Sequence, residues 1–185
     1  MTEAPCDVWP LETNAVAVVA DCHIHAGGPQ FPATLLDRLA GVGLIVTLGD
    51  MGEAAGLDRL AEIAPVVGVR GADDSDDPRT NRQTLVLTSD GQAIGCVFDP
   101  VAAGLATSSD PFTATSDFTT VARRLFGREI SLLLCASTHK GGVAQVEGCA
   151  VIDPGSAVLP ADGARPTYVK LTLGAGLSAM SVALD

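Results

Sequence analysis

The chain has 185 residues, 47% of them apolar and only 4% aromatic, and carries a formal net charge of -11. That length and apolar content suffice for one full core, so a single domain over residues 1–185 is expected, with residues 1–14 as an N-terminal extension. The acidic excess argues against a nucleic-acid partner, which needs clustered Lys and Arg, and a core this poor in aromatics must be built from Val, Leu, Ile and Ala, as in layered α/β domains.

No apolar run approaches the roughly 20 residues of a membrane helix. The opening Met1-Thr-Glu-Ala-Pro lacks the basic stretch of a secretory leader, so a cytoplasmic protein without membrane contact is expected. Cys6, Cys22, Cys96, Cys135 and Cys149 are odd in number, widely spaced and without a Cys-x-x-Cys pair. Free thiols are therefore expected, with Cys22 partly exposed between two candidate ligands.

In chain order, residues 15–20 (Ala-Val-Ala-Val-Val-Ala) are a short, β-branched apolar run, the pattern of a strand covered on both faces. Asp21 ends it. A Gly/Pro-rich loop at residues 26–32 leads into Leu35, Leu36 and Leu39, which share a helix face starting near Pro32 and stopping at Gly41 and Gly43. Residues 44–48 read as a second buried strand entering Gly49-Asp50. A helical stretch around Leu57, Leu60 and Ile63 ends at Pro65, and residues 65–69 form a third strand entering Arg70-Gly-Ala-Asp-Asp74. Three strand–helix units in a row thus place acidic residues beyond the strand ends, where open α/β sheets bind ligands.

The second half is richer in hairpins. Residues 84–88 and 93–98 flank the turn signal Ser89-Asp-Gly91, and a helix is drawn over residues 117–126. An apolar strand at residues 130–135 leads to Ser137-Thr-His139, and further strands are expected at residues 142–146, 149–152, 168–173 and near 180–184.

Asp21, His23, Asp50 and His139 follow different strands, so oxygen and imidazole donors converge from several directions, as a divalent ion requires. Taken singly, each has a plainer role: a carboxylate at a strand end commonly caps a helix, and a lone histidine is commonly structural. Their order changes the balance. Strand-Asp-x-His, strand-Gly-Asp, strand-Gly-x-x-Asp, strand-x-Thr-His and Asp-Pro-Gly-Ser resemble the motif succession of the calcineurin-like metallophosphoesterases, above all their small bacterial and archaeal phosphodiesterase branch. There the pieces read Asp-x-His-Gly, Gly-Asp, Gly-Asn-x-Asp, His-Gly, Gly-His-Thr-His and Asn-Pro-Gly-Ser. Residues 63–71 and 154–160 are also similar to that family's connecting segments, and the likeness runs from residue 15 to about 173.

The resemblance implies a four-layer α/β/β/α sandwich of two mixed sheets flanked by helices. It implies that Asp21, His23, Asp50 and His139 hold a first ion and that Asp50 and Asp74 occupy catalytic positions, Asp50 matching the carboxylate that bridges two ions. The His/Asp mix suits Mn, Zn or Fe. At the second ion's positions stand Ala72, Phe98 and Ser137, none a family ligand, so one firmly bound ion per chain is expected. Asp73, Asp74, Asp99 and His25 lie beside those positions as substitute donors. Against this, Asp74 suits a cap, Asp99 before Pro100 a turn, and His25 an exposed loop. Lys140 and Arg70 offer charge to a phosphate or, equally, surface ion pairs; Pro154-Gly-Ser156 reads as architecture.

Two functions follow from the resemblance. One is a metal-dependent phosphoesterase of reduced activity acting on a small phosphorylated substrate, as the acidic charge favours. The other is a catalytically decayed binding or scaffold module, in a homo-oligomer or with a protein partner, as in the retromer scaffold subunit that resembles the same family. A third reading takes Asp21-Cys-His-Ile-His25 as the His-x-His motif of amidohydrolases, but the chain is too short for their barrel of about 250 residues.

Overall fold

The computed structural model describes residues 6–174 and 176–184. Its elements in order are β1 (Asp7–Pro10), β2 (Ala15–Val19), α1 (Ala33–Leu39), β3 (Leu44–Thr47), α2 (Ala54–Ala61), β4 (Val66–Gly68), β5 (Thr84–Ser89) and β6 (Gln92–Val97). Then come β7 (Ala106–Ser109), β8 (Phe112–Ala114), α3 (Phe118–Phe126), β9 (Leu132–Leu134), β10 (Gly142–Val146), β11 (Cys149–Asp153), β12 (Thr167–Leu173) and β13 (Leu177–Ala183).

A five-stranded sheet runs β13-β12-β2-β3-β4 and a six-stranded sheet runs β1-β5-β6-β9-β11-β10. Both are mixed: β2, β3 and β4 are mutually parallel, as are β6, β9 and β11, while three hairpins and the long-range pairing of β12 with β2 supply the antiparallel pairs. Side chains alternate across a strand, and that alternation builds three apolar layers. Val16 and Val18 of β2 face Leu85, Leu87, Ile94 and Leu134 of the other sheet in the central layer. Ala17 and Val19, one residue out of phase, pack beneath Leu35 and Leu39 of α1 and Leu57 and Leu60 of α2. On the far side, Val86, Leu133 and Val151 pack against Phe118, Ala122 and Phe126 of α3. The result is the expected α/β/β/α sandwich of open sheets, not the closed barrel of the amidohydrolase reading.

Local signals placed most elements within a residue or two. The β5–β6 turn carries Asp90 and Gly91 at positive φ, 45° and 79°, the two left-handed positions of a type I′ hairpin. Two features went unforeseen. β1 pairs parallel to β5 as an edge strand within the N-terminal stretch, and β7 with β8 forms a separate two-stranded ribbon. The cysteines are free, but Cys22 is fully buried, not partly exposed. It points into the layer beneath α1 and α2, and burial drives its thiol well above the ordinary value. Among the described residues no helix is long and apolar enough to cross a membrane.

Candidate metal centre

The parallel strands β2, β3 and β4 of one sheet, and β6, β9 and β11 of the other, end in loops that carry the acidic and histidine residues. The loops after β2 and β3 lie side by side. Asp21 N–H donates to Gly49 O (3.1 Å), His23 N–H to Asp50 O (2.9 Å) and Ile24 N–H to Met51 O (2.9 Å). A carboxylate from the loop after β4 ties that loop to the one after β3: Asp74 accepts from Met51 N–H (2.6 Å) and Gly52 N–H (3.0 Å) through Oδ1, and from Gly71 N–H (2.7 Å) through Oδ2. Asp74 is therefore committed to backbone donors on two loops, and its bonds run across and backward, not to the next turn. Close approach explains the neighbouring glycines. A Cβ on Gly49, which has φ +99°, would lie 2.6 Å from the Phe98 ring and 2.7 Å from Gly71 N.

All four expected ligands adopt the left-handed backbone, with φ of 51° at Asp21, 47° at His23, 49° at Asp50 and 59° at His139; Ser137 has φ 79°. Such conformations cost about 1–3 kcal/mol each and persist only where surrounding bonds fix them. Here those bonds can be named. Ser156, fully buried, donates from Oγ to Asp21 O (2.7 Å) and accepts from Val158 N–H (3.1 Å) and Leu159 N–H (2.8 Å). Leu159 O in turn receives His139 Nδ1–H at 2.7 Å.

The side chains converge. Asp21 has no exposed surface; its Oδ2 accepts Ser137 N–H at 3.2 Å, while Oδ1 is buried without a hydrogen-bond partner. That orphaned oxygen faces His139 Nε2 at 3.9 Å. His23 Nδ1 lies 2.6 Å from Asp73 Oδ2 and its Nε2 lies 3.8 Å from Asp50 Oδ2. The two imidazoles stack, centroids 5.2 Å apart and 12° from coplanar. A carbonyl and a carboxylate only accept, so Nδ1 of each ring donates and Nε2 is the nitrogen turned toward the other donors, the one left to ligate an ion. Donor atoms of Asp21, His23 and His139 all lie within 4.8 Å of one another, and Asp50 adjoins the set through His23. Burial pushes Asp21 up to about 7; His139 opposes the rise, while the charges of Asp153 and Asp50 add to it. A buried carboxylate oxygen without a hydrogen-bond partner, facing an imidazole Nε2 at 3.9 Å, fits a cation.

A second set within 4.8 Å comprises His23, His25 and Asp73. His25 Nε2 lies 2.6 Å from the same Asp73 Oδ2 that holds His23, and hydrogen bonds from His25 and then His23 keep the Asp73 carboxyl below its ordinary value. The three altered positions contribute little. Ala72 is exposed, Phe98 packs against the central apolar layer, and Ser137 offers Asp21 its backbone N–H. Ala72 and Phe98 line a groove of about 590 Å³ together with Arg70, Gly71 and Asp99. Asp99 caps a turn, accepting from Val101 N–H (2.8 Å) and Ala102 N–H (3.2 Å). Lys140 pairs with Asp110 at 2.6 Å, and Arg70 is held by Asn81 (3.3 Å), the Asp74 carbonyl (3.3 Å) and Asp76 (3.5 Å).

A sequence profile for the calcineurin-like phosphoesterase superfamily domain matches residues 15–176. The chain belongs to this superfamily. Among curated proteins none matches it. Solved structures share its fold at low identity. Vps29 of Chaetomium thermophilum superposes with a TM-score of 0.70 at 16% identity, covering 91% of this chain and 96% of that one; the same protein has been crystallised complexed with a cyclic peptide. Vps29 of Entamoeba histolytica complexed with Zn2+ gives 0.67 at 19% identity, covering 92% and 99%. A Streptococcus pneumoniae protein described as a predicted phosphoesterase gives 0.61 at 15%, covering 94% and 91%.

Within this calcineurin-like phosphoesterase superfamily domain, sequence reasoning gathered Asp21, His23, Asp50 and His139 but left Ser156 as turn architecture and gave Asp73 only a substitute role. Their bonds span 135 and 50 residues of chain, and no local pattern announces them.

Proposed function

We propose that this phosphoesterase-fold protein holds one divalent ion, Mn, Zn or Fe, with Asp21, His23, Asp50 and His139, and hydrolyses a small phosphomonoester or phosphodiester in the cytoplasm at a rate below that of two-ion members. The observation that carries the reading is the buried Asp21 Oδ1, without a hydrogen-bond partner and turned toward His139 Nε2. When bound, such an ion supplies Lewis acidity toward a phosphoryl oxygen and acidifies water. Asp21 and Asp50 contribute the negative charge that draws a cation in, and His23 and His139 present bare Nε2 atoms held by their Nδ1 bonds. Asp74 acts here by holding the Asp50 loop against the Gly71 loop, not by touching substrate. The groove beside Ala72 and Phe98 has room for a small substrate.

The altered positions favour a second reading, a binding or scaffold module. Ala72 and Phe98 carry no donor atom for a second ion, and half of the two-ion clamp on a phosphoryl group is then missing.

Elemental analysis of protein purified without added metal, paired with p-nitrophenyl phosphate and bis-p-nitrophenyl phosphate assays in Mn, separates the two. About one ion per chain with slow turnover, both lost in His139→Ala, is the expected result. One ion without turnover on either substrate moves the assignment to the scaffold reading. Two ions with brisk turnover, or full metal content in His139→Ala, overturns the ligand set.

A further inference from the structure

We infer that Asp73, in the loop after β4, is a positioning residue of the metal centre, its carboxylate fixing the His23 ring with Nε2 free and its backbone fixing Asp50. This rests on the one-ion reading. Asp73 touches two of the proposed ligands with two different groups. Its Oδ2 lies 2.6 Å from His23 Nδ1, and its own N–H donates to Asp50 Oδ1 at 2.8 Å. The second bond occupies Asp50 Oδ1 and leaves Oδ2 as the oxygen facing His23 Nε2, at 3.8 Å. The same Asp73 Oδ2 receives His25 Nε2 at 2.6 Å, and His25 Nδ1 lies 3.7 Å from Glu53 Oε1. His25 thereby steadies the carboxylate from the solvent side.

Packing does not account for this arrangement. The Asp73 side chain is 40% exposed and that of His25 is 39% exposed, so neither fills the core. What they do is electrostatic and directional. A carboxylate accepting from the distal nitrogen of a ligating imidazole fixes its tautomer and orientation, and losing such a partner typically weakens metal affinity 10–100-fold. The alternative use of these groups, as an ion site of their own, fits less well. His23 presents Nε2 to the first site, so its Nδ1 keeps a proton, and only His25 and a carboxylate remain for another ion.

The chain has three histidines, which makes their imidazole nitrogens assignable by long-range 1H–15N NMR. In metal-free wild type, His23 is expected in the Nδ1–H form. Asp73→Ala should mix the tautomers of His23, lower Zn affinity by about 10–100-fold in a chelator competition and leave the metal-free melting temperature unchanged. Asp73→Asn, which keeps an acceptor without the charge, should fall between. Unchanged tautomer or affinity in Asp73→Ala overturns the inference, as does a wild type holding two Zn ions of which His25→Ala and Asp73→Ala each lose one. A wild type that takes up no ion sinks the one-ion reading instead, and is distinguishable because the tautomer comparison is made without metal.

Discussion

Ser156→Ala removes one oxygen from the interior and reaches the metal centre along two routes. The hydroxyl is fully buried; it supports the Asp21 carbonyl at 2.7 Å and receives the amides of Val158 and Leu159 at 3.1 and 2.8 Å. Leaving a buried carbonyl unsatisfied costs about 1–3 kcal/mol, and each lost bond to a partly buried amide about 0.5–1.5 kcal/mol before water replaces it. The sum is about 2–6 kcal/mol, which for a domain of this size lowers the melting temperature by on the order of 10 °C. The same bonds fix Asp21 in its left-handed conformation and place Leu159 O against His139 Nδ1, so metal affinity should fall as well. Thermal melts with and without Zn, followed by circular dichroism, measure both effects. Ser131→Ala is the control, since among the described residues Ser131 Oγ makes a single long bond, 3.4 Å to Ala93 O, and should cost under about 1 kcal/mol. A Ser156→Ala protein that melts with the control, or that melts early yet binds Zn like wild type, would refute the reasoning.

Two further expectations concern the same loops. Gly71→Ala would place a Cβ 2.1 Å from Asp50 N and 2.3 Å from Asp50 Oδ1; relief requires the Asp50 loop to move, costing about 1–3 kcal/mol, and zinc titration should show a weakened site, with wild-type affinity contradicting the packing account. In EDTA-treated protein, the Asp21 carboxyl sits at about 7 against an ordinary 3.8. The folded state therefore keeps a proton that the unfolded chain has released, and this group's contribution to stability falls as pH rises from about 4 to about 7. Relative to Asp21→Asn, wild type should lose ground in melting temperature between pH 5 and pH 8; a gain would show that Asp21 is not buried as an unpaired carboxylate.

Much of the fold was legible because the strands beneath it are covered on both faces and so read as unbroken apolar runs. Residues 15–19 and 44–47 are of this kind. β1 was not legible, since Asp7-Val-Trp-Pro is polar at one end, closed by proline and exposed at all four residues; only pairing with β5 makes it a strand. The ribbon of β7 and β8 is built from Ala, Thr, Ser and one Phe, with no alternation to detect. The candidate ligands were legible as donors after strands. Their left-handed backbone was not, because positive φ is uncommon for any non-glycine residue even though Asp and His visit it more than most; it is held by Ser156 and Asp74, whose bonds cross between loops.

The network around Asp21, His23, Asp50 and His139 is built largely from backbone atoms. The loops after β2 and β3 are joined through backbone atoms, Asp74 ties the β3 loop to the β4 loop at backbone amides, and Ser156 anchors Asp21 at its carbonyl. Where residues 98 and 137 enter this network they do so by main chain: Phe98 O accepts from Ala136 N–H at 2.8 Å, and Ser137 N–H supports Asp21 at 3.2 Å. Any non-proline side chain at 137, and any at all at 98, leaves those bonds formally available. The side chains at 72 and 137 take no part in these bonds, whereas the Phe98 ring packs against the central apolar layer and closely over Gly49. Asp73 is different, because it reaches His23 by side chain and Asp50 by main chain. A change there should be felt at the first site although Asp73 lies beside an altered position of the second.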